Sequence, residues 1–337
     1  MGAVTIYRRG TVGAVAVGVA LFLVWSNSFV AASFLLGGER GAARFDAVSL
    51  SIARFVPVVP FCLGWVLLVR RRQTMALLRR FPVRAPIAGL LSVPAYNLAL
   101  YSGQQRGVPA PVASLTTALM PFAVMLLAAL FLGEALSWRK GAAFALALSG
   151  MALIATSRGG GAGVAAGGPT SVGEYAALLA LTALAPLSWA IYSILSKPVA
   201  GVASPLDWTF LTLALGGLPL MTALPFRGAR ELAALDAAGW GALLFLSVLC
   251  TIVGYAVWSW LLRHLPASSV GFFSFLNPPL TALSKYLLAL ALPTAFVWTL
   301  VPLELAGAAL ALAGLALVLA PDRKRPAPPP AVPAPEG

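Results

Sequence analysis

Long apolar stretches, each with at most one charged residue, are the feature that most limits how this chain folds. Hydrophobic residues make up 60% of the 337 residues, only 10% are charged, and the mean hydropathy is +0.91. Soluble domains carry about 25% charged residues, so this chain has too few to cover a surface that faces water. The sequence therefore predicts a protein whose solvent is the lipid bilayer.

Ten segments are candidate transmembrane helices, because a helix needs about 20 mostly apolar residues to cross the hydrocarbon. Their approximate limits are 12–36, 47–69, 86–104, 110–132, 140–157, 174–195, 207–225, 238–262, 267–291 and 300–320. The first segment is longer than the apolar core of a signal peptide and nine others follow it, so we expect it to be retained. The predicted fold class is an all-α integral membrane protein with ten transmembrane helices.

Basic residues are distributed unevenly between the two sets of connections that ten spans create. The termini and the even-numbered connections hold fifteen Lys and Arg residues, whereas the odd-numbered connections hold six. Because cytoplasmic loops are enriched in basic residues, we expect both termini in the cytoplasm. The net charge of +13 lies in these short connections and not on one soluble face, so it does not indicate a nucleic-acid partner.

The two halves of the chain share an order of features, namely a mid-span proline, a polar turn and a glycine-containing helix. Pro121 matches Pro278, Ser137 matches Thr294, and Gly141 matches Gly307. A repeat of five spans is odd in number, so the second copy must enter the membrane inverted, which is a recurring design of secondary transporters. We predict a first repeat (1–157), a Gly-rich outer linker (158–172), a second, inverted repeat (173–320) that completes a central cavity, and a disordered Pro-rich cytoplasmic tail (321–337).

Short motifs in this repeat are also found in a known family; they are Trp25 with Phe29, Ala53-Arg54, Pro121, Gly133-Glu134 and Gly141. In these positions the chain resembles the EamA-type repeat of the drug/metabolite transporter superfamily, over roughly residues 10–320. The resemblance implies a proton- or gradient-linked exporter of small metabolites in the bacterial inner membrane. Within this family the chain is similar to the ten-span YddG-like amino-acid exporters, whose cavity is formed by the first, third, fourth, sixth, eighth and ninth spans. One departure is that Glu134 corresponds to Ala291 in the second half.

Polar residues recur along the ninth span at spacings of three and four, which places them on one face of a helix. They are Ser274, Asn277, Thr281, Ser284 and Lys285. This face either lines a cavity or tightens the contact between two helices. We expect Asn277, Thr281, Ser284 and Lys285 to bind substrate.

Lys285 is a charge inside a span, where it normally faces a cavity or a partner. It lies about 10 Å from the outer end of the helix at 1.5 Å per residue, so its ammonium can also extend outward. Glu304 follows Pro302 at the start of the next span, and the two ends are neighbours in a hairpin. An ion pair between Lys285 and Glu304 is therefore the structural alternative to a role in binding an anionic substrate.

Aromatic residues supply the remaining candidates for a substrate-binding site, because a ring with a polar edge can both wall a pocket and form hydrogen bonds. They are Trp25, Tyr96, Tyr101, Trp189, Tyr192, Tyr255 and Trp258. Asn27, close to Trp25, has an amide that is costly to expose to lipid, so we expect it to face protein or the cavity. For each aromatic residue, packing between helices or at the membrane interface is the alternative.

Glu134 and Glu304 are the candidates for a carboxylate that couples transport to a proton. Glu134 could instead cap the cytoplasmic hairpin near Arg139 and Lys140.

His264 is the only histidine and no metal-ligand spacing occurs, so the sequence favours a transporter over an enzyme and predicts no metal and no cofactor. The expected partners are a small-molecule substrate, a proton as a candidate coupling ion, and the bilayer; a monomer is compatible with the sequence. A transporter of anions that uses Lys285 and a passive channel are the alternatives.

Overall fold

The computed structural model of the protein describes residues 2–37, 43–108, 110–117, 119–156, 171–292 and 302–319. All regular secondary structure in these residues is helical. The predicted tail and most of the predicted linker lie outside them. Together with the long apolar helices, this confirms the all-α membrane class.

The first half contains nine α-helices and two π-helical segments within the described residues. In chain order they are α1 (Gly2–Leu35), α2 (Ala47–Phe55), α3 (Val58–Gly64), the π-helical Trp65–Val69, α4 (Arg71–Arg80), α5 (Arg84–Leu90), the π-helical Leu91–Ala95, α6 (Tyr96–Gln105), α7 (Ala110–Thr116), α8 (Leu119–Leu132) and α9 (Trp138–Thr156).

The second half contains eight α-helices, one π-helical segment and one 3₁₀ segment within the described residues. They are α10 (Val172–Ala200), α11 (Pro205–Ala223), α12 (Ala229–Ala233), α13 (Ala237–Leu244), the π-helical Phe245–Val253, α14 (Gly254–His264), α15 (Ala267–Phe272), the 3₁₀ segment Phe273–Leu276, α16 (Asn277–Ala291) and α17 (Pro302–Leu319).

Helices occupy all ten segments that the sequence predicts to span the membrane. By length and apolar composition, six continuous helical stretches of the described residues can cross a bilayer. A seventh is added if Arg71–Arg80 and Arg84–Gln105, which are bent by 99°, are taken together. The remaining predicted spans do not meet this criterion, so the count of ten stays a prediction.

The first span of each half packs against the other half. Helix α1 contacts α14 and α16, while α10 contacts α6 and α8. We call these two groups the α1 bundle (α1, α14, α16) and the α10 bundle (α6, α8, α10). Because each first span packs against the opposite half, helices from both halves surround the middle of the molecule.

Helices α9 and α17, the last of each half, form an extensive pair through small residues. A methyl group added at Gly150 would lie against the carbonyl of Gly307 and 3.0 Å from the amide nitrogen of Ala311. Small residues let two backbones approach closely, and that close packing drives helix association in lipid.

We expect Gly150→Ala and Gly141→Ala to change stability in opposite directions. Gly141 is on the same helix with open space around it, so alanine there should raise the free energy of unfolding by about 0.5–1 kcal/mol through its better helix propensity. At Gly150 the methyl group must separate two backbones, which costs about 1–3 kcal/mol. Thermal unfolding in detergent measures both, and equal shifts would contradict the close α9–α17 contact.

Candidate functional site

A cavity lies between the α1 bundle and the α10 bundle. A volume of about 40 Å³ is open to water-sized spheres, which is room for about three waters. The lining residues come from both halves of the chain: Phe22, Trp25, Ser28, Phe29, Arg54, Tyr96, Leu100, Tyr101, Thr117, Met120, Pro186, Trp189, Cys250, Tyr255 and Asn277. The cavity is therefore shared between the two halves.

Trp189 is at the centre of the aromatic wall of this cavity. Its ring centroid lies 5.3 Å from that of Trp25, 5.3 Å from that of Tyr96 and 4.7 Å from that of Tyr255, all with edge-to-face geometry. Such pairs are favourable beyond the area that they bury. The wall is thus a connected set of rings contributed by α1, α6, α10 and α14.

The π-helical segment in the third span of each half holds one ring of this wall. Trp25 Nε1 donates to the carbonyl of Cys250 at 2.9 Å, and the Tyr255 hydroxyl donates to the carbonyl of Ser92 at 2.7 Å. π-Helical turns often occur at functional sites. Gly254 has no side chain that would displace the Trp25 indole.

Arg54 brings a positive charge to the cavity wall, and its side chain is 5% exposed. Nε donates to Thr251 Oγ1 at 2.8 Å, and Nη1 donates to Asn97 Oδ1 at 3.0 Å and to the Tyr101 hydroxyl at 2.6 Å. All three acceptors are neutral. The guanidinium therefore links α2 to α6 and to the π-helical segment before α14.

Two buried polar atoms on the cavity wall have no hydrogen-bond partner within the part of the chain that the structure describes. They are Trp189 Nε1 and Asn277 Oδ1. A buried donor or acceptor without a partner costs about 1–3 kcal/mol, and an explanation for such a group is a ligand that completes it. The wall therefore offers one free donor and one free acceptor.

Six of the predicted substrate-binding residues line this cavity: Trp25, Tyr96, Tyr101, Trp189, Tyr255 and Asn277. They come from the first, third, sixth, eighth and ninth spans, and Thr117 and Met120 add the fourth. Those are the six spans that the family resemblance implies. Arg54 adds the second span, which the resemblance does not imply.

Tyr192 and Trp258 were predicted to bind substrate but lie behind the cavity wall. Both side chains are buried. Trp258 Nε1 donates to Ser193 Oγ at 3.2 Å, and the ring of Tyr192 packs at 5.0 Å from that of Trp189. Their rings face neighbouring helices, so they support the wall and do not form it.

Asn27 is also not at the cavity. Its amide donates to the carbonyl of Leu23, one turn earlier in α1, at 2.8 Å, and it borders a shallow groove with apolar residues such as Phe34 and Leu288. The bond to the helix's own carbonyl satisfies the amide, and a role of Asn27 in binding substrate stays a prediction.

The polar face of the ninth span is turned inward but reaches the cavity only at Asn277. Thr281 Oγ1 donates to the carbonyl of Ser26 at 3.0 Å, so it fastens α16 to α1. Ser284 is half-buried and lies outside the cavity lining. The alternative of helix packing therefore describes most of this face.

Lys285 is buried, with 6% of its surface exposed, and does not line the cavity. The side chain of Glu304 lies outside the described residues. The ion pair between Lys285 and Glu304 and the coupling role of Glu304 therefore stay predictions.

Arg54 is a charged residue of the cavity lining that the sequence reasoning did not assign to the site. Its charge inside a span was the available signal, but its place in the outer half of that span left it unassigned. The structure carries its guanidinium to the cavity wall, because the long side chain extends between α2 and α6 to Asn97 and Tyr101.

Glu134 links the segment after α8 to α15 of the other half at one end of the molecule, which we call the Glu134 end. Its carboxylate accepts from the amide of Ala267 at 2.8 Å, from the amide of Ser268 at 3.4 Å and from the Ser268 hydroxyl, at the start of α15. Lys140 Nζ lies 3.6 Å away. Glu134 thus pairs with Lys140, as the capping alternative predicts, and also caps a helix of the other half.

Lys197 strengthens the same end from α10. Its ammonium donates to the carbonyls of Leu262 and Leu265, at 2.5 and 2.6 Å, where α14 ends. A cation at a helix C-terminus and a carboxylate at a helix N-terminus both match the helix dipole. The connection between α14 and α15 is therefore held on both sides by residues of the α10 bundle and the segment after α8.

The opposite end is held by Gln104 and Arg44. Gln104 Nε2 on α6 donates to the carbonyl of Phe29 on α1 at 2.9 Å, so it links the two bundles. Arg44 Nε and Nη2 each donate to the Asp236 carboxylate at 2.9 Å, which links the halves outside the spans. We call this the Asp236 end.

The Arg44 contact also determines the ionisation of Asp236. The hydrogen bond from Arg44 and a second one from the amide of Gly239 stabilise the carboxylate, and they lower the pKa of Asp236 to about 2. The same hydrogen bond raises the pKa of Arg44. Both groups therefore stay charged throughout the physiological pH range.

Comparison with known proteins gives one family. The model of the EamA-like transporter family matches residues 15–156 and 176–320. A crystal structure of a chain with 22% identity has a TM-score of 0.63 and covers 91% of this chain and 96% of its own, which supports the fold.

Two of the relatives have names that describe a transport activity. A probable terminal-alkyne amino-acid exporter of Streptantibioticus cattleyicolor is 29% identical over 86% of this chain and 88% of its own length. A probable amino-acid metabolite efflux pump of Salmonella typhimurium is 30% identical over 68% of this chain and 77% of its own length.

We expect Asp236→Asn to lower stability by the same amount at pH 5 and pH 8. The asparagine keeps the oxygen that accepts from Gly239 and from Arg44 Nε, but it removes the charge and puts an NH2 group in place of the oxygen that accepts from Arg44 Nη2. Because the folded pKa lies below the ordinary value of about 3.9, the stabilisation is present above that value and is lost as the pH falls toward 2. Thermal unfolding should show a smaller difference between variant and native protein at pH 3, and a larger one there would contradict the ion pair.

Proposed function

Since the chain belongs to the EamA-like transporter family, we propose that it is a secondary active transporter that exports amino acids or related zwitterions by alternating access. Family membership makes it a membrane transporter of small metabolites. The substrate class, the direction, the mechanism and the bacterial inner membrane as its location belong to the proposal.

The observation that carries the proposal is the cavity between two bundles built from both halves. It combines an aromatic wall with a buried donor on Trp189 and a buried acceptor on Asn277 that the described residues leave unpaired. Small-molecule sites are mostly apolar with a few directed polar groups. Amino acids with apolar side chains likewise combine an apolar part with a few polar groups.

The names of the relatives support the same class. One is called an amino-acid exporter and the other an amino-acid metabolite efflux pump. Both align over more than two thirds of this chain. Amino-acid export is therefore the activity we propose.

The bonds between the two bundles at both ends support alternating access. Opening at the Glu134 end requires the contacts of Lys197 with the end of α14 to break. Opening at the Asp236 end requires the Gln104 contact with α1 to break. The moving units are then the α1 and α10 bundles, and not the two halves of the sequence, because the first spans are exchanged.

The distribution of basic residues assigns the Glu134 end to the cytoplasm in this proposal. Glu134 and Glu304 stay the candidates for proton coupling. An anionic solute bound by Lys285 is a weaker candidate, since Lys285 does not line the cavity.

Counterflow in proteoliposomes tests the proposal. Vesicles loaded with unlabelled solute should accumulate labelled solute from a panel of the twenty amino acids, nucleosides and sugar phosphates, with exchange confined to some amino acids. Free passage of ions or water without exchange would show a channel instead. No exchange of any solute would contradict the proposal.

Trp189→Phe should lower the exchange rate by about fivefold, because it removes a hydrogen-bond donor worth about 1 kcal/mol while it keeps a ring in the wall. Its melting temperature should fall modestly, because Trp189 is buried and the smaller ring leaves part of its packing volume empty. Trp138→Phe is the matched control, because Trp138 is 78% exposed. Equal exchange rates in the two variants would remove Trp189 from the site.

A further inference from the structure

We propose that Arg54 binds the carboxylate of the transported solute, so that the substrate class is restricted to amino acids and other small carboxylates with a free acid group. The inference rests on the proposed function and deepens it. It concerns a residue of the second span, outside the six spans that the resemblance implies.

The first support is the unused hydrogen-bonding capacity of the guanidinium. It has five N–H donors, and the three bonds to Thr251, Asn97 and Tyr101 use the one on Nε and both on Nη1. Nη2 donates to no residue in the described part of the chain. Because Arg54 lines the cavity, two donors of a cation remain for a solute.

The second support is the uncompensated charge. Among the described residues, no carboxylate lies within ion-pair distance of Arg54. An arginine in the middle of a membrane costs several kcal/mol and normally faces a cavity or a partner. Its neutral acceptors satisfy hydrogen bonds but do not cancel the charge. A carboxylate does both, whereas an ammonium group adds repulsion.

The rest of the wall fits the other parts of an amino acid. Trp189 Nε1 is a second donor for the carboxylate, while Asn277 Oδ1 is an acceptor for an ammonium group. The faces of aromatic rings also attract cations. The cavity thus offers positive charge and donors together with an acceptor and π surfaces.

Arg54 also contacts both moving units. Asn97 and Tyr101 lie on α6 of the α10 bundle, whereas Thr251 lies in the π-helical segment that continues into α14 of the α1 bundle. A carboxylate that binds Nη2 would attract the guanidinium toward the cavity and alter bonds to both bundles. Substrate binding at this residue can therefore bias the equilibrium between the two open forms.

The test compares each exchanged amino acid with its α-amide, which keeps the ammonium group and the side chain but has no negative charge. In native protein the acid should compete for counterflow at least about tenfold better than the amide, in line with a charged hydrogen bond. Arg54→Gln should bring the ratio of competition by the acid to competition by the amide close to one. Arg54→Lys should retain part of the preference for the acid.

A purely structural role predicts another outcome. Loss of the links to α6 and to the π-helical segment would slow exchange of acid and amide equally, so an unchanged ratio in Arg54→Gln would overturn the inference. If that variant does not fold, the native protein still decides, because equal competition by acid and amide also overturns it. In both cases amino-acid exchange would persist, whereas its complete absence would contradict the transporter proposal itself.

Discussion

The structure depends on the way a charged side chain is accommodated in a molecule that has few charges. Arg54 is buried among neutral acceptors on α6 and the π-helical segment before α14, so its cost is reduced by hydrogen bonds and not by a counter-ion. A buried cation that is held only by neutral acceptors is tolerated where the geometry satisfies most of its donors. The guanidinium thus connects α2 to the third span and to the segment before α14, and it places a positive charge on the cavity wall.

A second constraint is that backbone groups inside a membrane must find partners within the protein. The π-helical segments in the third span of each half alter the regular pattern, and the carbonyls of Ser92 and Cys250 receive the Tyr255 hydroxyl and the Trp25 indole. The same irregularity that weakens a span therefore fixes the cavity wall. Since the two segments occupy equivalent spans, the repeat explains why rings from both halves meet around Trp189.

The fold class could be predicted from hydropathy alone, because only helices satisfy the backbone of so many apolar spans. Five of the seven aromatic residues that the sequence singled out line the cavity: Trp25, Tyr96, Tyr101, Trp189 and Tyr255. The helix-face argument did not place Thr281 and Ser284 at the cavity, since periodicity puts residues on a common face but does not show what packs against it. Arg54 was missed for a related reason: depth along a helix says where the backbone lies, whereas an arginine side chain extends several ångströms further.

Two distances measured in one sample series test the central claim, that the α1 and α10 bundles open the cavity alternately at the Glu134 and Asp236 ends. Spin labels at Ser137 and Arg263 report on the first end, and labels at Arg106 and Ala234 report on the second, in protein without Cys62 and Cys250. Pulsed electron resonance in lipid nanodiscs, with and without the exchanged amino acid, should show one distance lengthening as the other shortens. Distances that lengthen together, or that stay fixed while exchange proceeds, would contradict the account.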